Sequence, residues 1–225
     1  MVATVFQGGF LITVYHLKRS RSERIAWLLE ELDLDYRLEP YDRVERYAPE
    51  SLRLIHPLGR APVIRDGDTV LAESGAIVQY ILGRHVSACL SVDSHETSYA
   101  SYLYWFHYAE ASLMLQLLRE STLVRIVPEV DTHPGMAKVR ATTREHLDFV
   151  DQSLAGRSFI ASDRFTAADI MMLFPFTTLL EFLPGTLDLA RYANLRSYVA
   201  QLTARPAYIR AMDRADGPQA RRASA

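Results

Sequence analysis

Two short stretches of this 225-residue chain carry residue types whose spacing suits a small zwitterionic peptide. Glu73-Ser74-Gly75 precedes Ile77, Val78 and Ile81, the apolar side of a helix with Ser74 as its N-cap. Backbone N–H groups and a hydroxyl at a helix start favour a carboxylate, and the Glu73 carboxylate beside them favours an ammonium. Together they fit an α-amino-acid group, which carries both charges. Ala61-Pro62-Val63 lies where a loop enters a strand. A cis bond before Pro62 would turn the N–H and C=O of Val63 outward at a sheet edge, where a bound peptide could pair as one more strand. A plain proline turn is the simpler alternative. Arg60 could meet the carboxylate at the far end of such a peptide, or face water.

The flanking pattern supplies elements to hold these residues. Leu11 to Leu17 is short, apolar and β-branched, as a buried strand is. Ser20 opens a helix whose stripe is Ile25, Leu28, Leu29 and Leu32. Tyr36 to Tyr41 reads as a second strand, with Pro40 favouring an edge. A short helix is expected near Pro49 to Ile55. Asp66-Gly67 between two apolar runs predicts a hairpin. The order β-α-β, then β-β-α, is that of a thioredoxin-like α/β domain over residues 11–84. Residues 85–94 lack periodicity and read as a linker, and residues 95–214 read as an all-α domain. There Thr97 to Arg125 forms a long aromatic-rich helix, and Pro134 starts another running to about Ala155. Thr166-Ala167-Ala168-Asp169 is a capping box, with Phe165 and Ile170 placed for a hydrophobic staple. Two shorter helices follow, Leu195 to Ala204 and Pro206 to Arg214. Residues 1–10 and 215–225 read as flexible tails.

Composition narrows the function. A net charge of −2 offers no field for a nucleic-acid backbone. The basic cluster Lys18, Arg19, Arg21 and Arg24 reads as a solvated helix start. The single cysteine, Cys89, falls in the linker, where neither an internal disulfide nor a metal set can be built on it. No apolar run approaches the ~18 residues of a membrane span, and no charged leader precedes the first apolar stretch. A cytoplasmic protein with no nucleic-acid or membrane partner is the expectation.

Taken together, the runs Tyr15-His16-Leu17, Ser20-Arg21-Ser22-Glu23-Arg24-Ile25-Ala26-Trp27-Leu28-Leu29-Glu30-Glu31-Leu32, His56-Pro57-Leu58-Gly59-Arg60-Ala61-Pro62-Val63 and Ala72-Glu73-Ser74-Gly75-Ala76-Ile77 resemble a glutathione transferase, in the bacterial and fungal branch whose first helix opens with S-R-S. Tyr104-Trp105-Phe106-His107-Tyr108-Ala109-Glu110 and Phe165 to Asp169 resemble the same family, so the likeness spans roughly Ile12 to Asp213. It implies that Val63 pairs with the cysteinyl backbone of glutathione, that Glu73 and Ser74 hold its γ-glutamyl end, and that Arg60 lies near its glycine carboxylate. It further implies a homodimer, with both domains lining the cleft. A small hydrophobic electrophile would meet Tyr104, His107, Tyr108 and Ser112, although helix packing also accounts for those aromatics.

A family member must stabilise the glutathione thiolate, because an ordinary thiol is mostly protonated at neutral pH. A hydroxyl, a cation or the first helix's N-terminus can do so. Ser20 is the favoured group, from its place at the helix start. Tyr15 follows, where tyrosine-type members carry theirs. Arg19 falls where many members carry Ser or Cys, and could act as a cation. The expected activity is thiol transfer to the electrophile. The alternatives are a glutathione-dependent lyase, peroxidase or reductase, or a ligand-binding protein that keeps the fold without turnover.

Overall fold

The computed structural model describes residues 11–84, 90–179 and 189–217. The N-terminal extension, Cys89 with the first half of the linker, and the tail from residue 218 lie outside the described residues. The chain divides into two compact units. The first runs through Ile81 and resumes at Ala207; the second takes Leu82–Pro206.

In the first unit, β1 (Ile12–Leu17), α1 (Glu23–Glu31), β2 (Tyr36–Tyr41), β3 (Val63–Asp66), β4 (Thr69–Ala72) and α2 (Ser74–Arg84) follow the expected order. The sheet runs β2-β1-β3-β4, with β1 and β2 parallel and the other two pairs antiparallel. Pro40 sits on edge strand β2, where its missing N–H costs no ladder bond. The β3–β4 turn is centred on Gly67-Asp68 rather than Asp66-Gly67, since Asp66 pairs with Thr69. Only Gly67 needs positive φ there (57°). The expected short helix is a 3₁₀ turn over Glu50–Leu54.

α1 packs on β1, and its stripe Ile25, Leu28 and Leu29 is fully buried. Trp27 lies off that stripe yet is only 2% exposed. Its cover comes from the end of the chain. α8 (Pro206–Ala215) sets Tyr208 edge-on to Trp27 at 5.1 Å between ring centroids. Arg210 and Arg214 both bond the Glu30 carboxylate at 2.9 Å, and Arg214 also lies 4.0 Å above the Tyr36 ring. The sequence pattern counts this helix with the helical domain; its contacts put it with the first unit. The chain stays ordered past the expected tail boundary, through Ala215 and Asp216.

The second unit is helical. α3 (Tyr99–Tyr108) passes through a π-helical stretch, Ala109–Met114, into α4 (Leu115–Ile126). Among the described residues it also holds α5 (Pro134–Ser153), α6 (Ala167–Leu173) and α7 (Ala193–Thr203), with short 3₁₀ turns at Phe174–Phe176 and Leu189–Arg191. The capping box is present at Thr166 and Asp169. The Asp169 carboxylate also accepts from the Ile160 N–H and the Tyr198 hydroxyl, each at 2.9 Å, tying three segments to one buried group.

Candidate functional site

Three loops meet at one end of the sheet, and the strand register brings them there. Val63 opposes Tyr15 on β1, so the start of β3 lies beside the end of β1. Val63 also opposes Ala72 on β4, so Pro62 and Glu73 leave the hairpin at the same end. The β1–α1 loop, the Ala61-Pro62 turn and the start of α2 are therefore neighbours.

The Ala61–Pro62 bond is cis. Val63, however, cannot present an open edge. It is fully buried and flanked by strands on both sides. Backbone free of strand pairing lies before the cis bond, at half-buried Ala61. Gly59 sets up this turn. Its φ is +56°, and a Cβ there would stand 2.8 Å from the Arg53 side chain. Arg60 next to it is exposed.

Glu73 is exposed and holds a left-handed φ of 71°. Its carbonyl accepts from the Ile77 N–H at 2.9 Å, which makes Glu73 the cap and Ser74 the first helical residue, one place on from the expected N-cap. Ser74 is 5% exposed, and its hydroxyl accepts from Arg24 at 3.2 Å. A hydroxyl that accepts from a guanidinium keeps its own hydrogen to give outward. Arg24 thus belongs to the site rather than to a solvated helix start: it is 1% exposed. Its spacing carried the signal, since Arg24 and Leu28 are four apart on one helical face.

Of the three thiol-activating candidates, the structure brings Ser20 and Arg19 to the mouth of α1. α1 begins at Glu23, later than the pattern predicts, and Ser20 lies in the turn before it with its carbonyl accepting from the Glu23 N–H at 3.0 Å. The Ser20 hydroxyl stands 2.7 Å from that of Ser22, which stands 2.8 Å from His16 Nδ1. His16 Nε2 is 3.3 Å from Asp216 Oδ1, and the same oxygen accepts from the Arg19 N–H at 3.1 Å. Arg19 has a left-handed φ of 56°, and the Arg43 guanidinium holds its carbonyl and that of Lys18. Tyr15 is directed elsewhere. Alternate strand residues face opposite sides of a sheet, so Tyr15 points away from His16. Its hydroxyl accepts from Arg65 at 3.2 Å. His16 shares an inward face with Ile12 and Val14, so strand alternation marks its burial. No local pattern marks Asp216, 200 residues away.

The acceptor candidates lie in the second unit. Tyr108 is buried, its hydroxyl 2.5 Å from His146 Nδ1, and its ring stacks on that of half-exposed Tyr104. Burial pushes the Tyr108 hydroxyl above its ordinary pKa and the His146 imidazole below its own. Ser112, in the π-helical stretch, and His146 line a cavity of about 730 Å³ with Leu115, Arg119 and Thr142. His107 is exposed and does not line it.

Comparison with known proteins agrees with this architecture. Residues 11–83 match the family described as glutathione S-transferase, N-terminal domain, and residues 122–206 match glutathione S-transferase, C-terminal domain. Glutathione S-transferase 3 of Schizosaccharomyces pombe is 31% identical over 209 residues, covering 88% of this chain and 85% of its own. Glutathione S-transferase 1 of Saccharomyces cerevisiae is 31% identical over 186 residues, covering 73% and 79%. A crystal structure of a glutathione S-transferase from Actinobacillus pleuropneumoniae superposes with a TM-score of 0.82 at 36% identity, covering 92% of this chain and 94% of that one. A sphingomonad glutathione S-transferase complexed with glutathione shares the fold, with a TM-score of 0.71 at 21% identity over 91% of this chain and 98% of its own. With both of its domains matched and relatives above 30% identity along most of its length, the chain belongs to the glutathione S-transferase family.

Proposed function

We propose that the first unit binds glutathione at the three-loop end of its sheet and that Ser20 stabilises the thiolate for transfer to a small hydrophobic electrophile. The γ-glutamyl ammonium meets Glu73, and its carboxylate takes the Ser74 hydroxyl and the N-terminus of α2. The cysteinyl backbone runs along Ala61, and Arg60 meets the glycine carboxylate. The observation that carries this reading is the strand register. It sets an exposed carboxylate, a buried hydroxyl backed by Arg24, and the unpaired backbone before Pro62 side by side. The Ser20 hydroxyl is favoured over Tyr15 because it lies at the mouth of α1, whereas Tyr15 is bonded to Arg65 on the opposite face. The reaction takes place in the cytoplasm, in a homodimer, and the acceptor lies against Tyr108 and Ser112.

Retention on immobilised glutathione followed by a chlorodinitrobenzene conjugation assay tests binding and turnover in turn. Replacing Ser20 with Ala is expected to lower the rate about 10²-fold, as loss of a preorganised donor to a developing anion does, with glutathione affinity unchanged. A full rate in that variant would eliminate Ser20. Retention without conjugation in the parent chain would point to the binding-protein alternative.

A further inference from the structure

The groups behind Ser20 form a connected line that ends on a carboxylate brought from the far end of the chain. His16 and Ser22 are fully buried, Ser20 is 7% exposed, and the Asp216 side chain is 6% exposed. The hydrogens along this line can be assigned from what each atom is able to do. An ionised carboxylate only accepts, so Asp216 requires a hydrogen on His16 Nε2. In neutral imidazole that leaves Nδ1 as an acceptor, and of the two acceptors in reach of the Ser22 hydroxyl, His16 Nδ1 at 2.8 Å and the Leu17 carbonyl at 3.2 Å, the nearer ring nitrogen takes its hydrogen. The Ser22 oxygen is then open to accept from Ser20, and the Ser20 oxygen, which already accepts from the Ser22 N–H at 3.3 Å, has a second lone pair with which to accept in turn. Every donor in the neutral line points inward, away from the position where a thiol would meet Ser20.

We infer that this line is a proton relay, in which the glutathione thiol loses its proton through Ser20 and Ser22 to His16 while Asp216 balances the resulting imidazolium. The inference rests on the assignment of Ser20 above. The thiol S–H bond breaks as an O–H bond forms on Ser20. The former Ser20 hydrogen passes to Ser22, and the former Ser22 hydrogen forms an N–H bond on His16 Nδ1. One proton has moved, the negative charge is on sulfur and the positive charge on the imidazole. Every hydroxyl now donates outward, so Ser20 points its hydrogen at the thiolate it has just released. A serine alone can offer that hydrogen bond but has nowhere to send the proton. The arrangement follows the logic of nucleophile, base and orienting carboxylate, with an extra hydroxyl inserted.

The surroundings suit this role. The Asp216 carboxylate stands 3.3 Å from the His16 ring. Beyond it, Lys18 is paired with Asp42 at 2.8 Å, and Arg43 lies near Arg19, Glu23 and Asp216. β2 sets uncharged Pro40 beside His16. The Arg19 N–H fixes the Asp216 oxygen that faces the ring. His16, Ser22 and Asp216 are accordingly positioning residues that act through Ser20.

The test uses the full chain. It reads the ultraviolet absorbance of the bound glutathione thiolate against pH, together with calorimetric binding of S-methylglutathione, which has no thiol proton. D216N keeps the shape but cannot balance an imidazolium, and S22A cuts the line. Each is expected to raise the midpoint of thiolate formation by about one pH unit, a roughly tenfold loss of thiolate near neutrality. S-methylglutathione should bind both as it binds the parent. If S20A raises the midpoint while D216N and S22A leave it in place, the relay is wrong and Ser20 acts alone. Weaker S-methylglutathione binding with an unmoved midpoint would mark Asp216 and Ser22 as structural supports and overturn the relay equally. An unmoved midpoint in S20A would remove the Ser20 assignment and the relay together. Failure of the parent to bind S-methylglutathione would remove the glutathione reading itself.

Discussion

Glu73 occupies a backbone conformation that glycine adopts at lower cost, at the start of a helix where its carboxylate stands exposed. Non-glycine residues in this region cost of order 1 kcal/mol or more, and such positions cluster where ligands bind. The conformation and the charge separate in two substitutions. Glu73→Gly should raise thermal stability by about 1 kcal/mol while weakening glutathione binding. Glu73→Ala should weaken binding to a similar degree, roughly 10-fold or more for loss of a charge-assisted hydrogen bond, and leave the fold intact. Thermal melts and calorimetry on the same samples check both, and unchanged affinity in either variant would remove Glu73 from the site. At this scale the sequence was informative wherever chemistry is local. The charge pair at Glu73-Ser74 could be read from adjacent residues. The shift of the docking backbone from Val63 to Ala61 could not, because it depends on which strands flank β3. Arg24 and His16 each fall on an apolar face, and a charged or titratable residue on such a face was a legible sign of a buried role.

The elements were legible through their periods: the stripe of α1, the Gly67 turn and the capping box of α6 all stand near their expected positions. An amphipathic stripe reports that a face is covered and not by what, which is why α8 could not be assigned its partner. Its docking carries a pH signature through Glu30. Burial pushes the Glu30 carboxyl up, but hydrogen bonds from Arg210, Arg214 and Tyr36 outweigh it and hold the group below the usual carboxylate range. A carboxyl depressed in the folded state contributes stability above its unfolded pKa and loses it as pH falls through the folded value. Acid should therefore loosen α8, with stability dropping below about pH 4 more steeply in the parent than in Glu30→Gln. Parallel slopes of melting temperature against pH in the two proteins would exclude Glu30 as the source.

For the whole molecule, the chain closes its first unit with its last helix. The His16 to Asp216 contact ties the two termini of that unit together. Ending the chain after Pro206 would strip the cover from Trp27 and expose the apolar face of α8's partner surface. At about 1.5–3 kcal/mol for each large apolar side chain exposed, this should lower the melting temperature by about 10 °C. It should also remove the Asp216-dependent part of thiol ionisation. A truncated chain that melts with the parent would show that α8 contributes little to the first unit. The same discontinuity governs how the protein is made. Residues 11–81 leave the ribosome before the second unit, yet the helix that covers Trp27 is translated only after it. The nascent first unit must therefore wait, incompletely covered, through synthesis of the whole second unit.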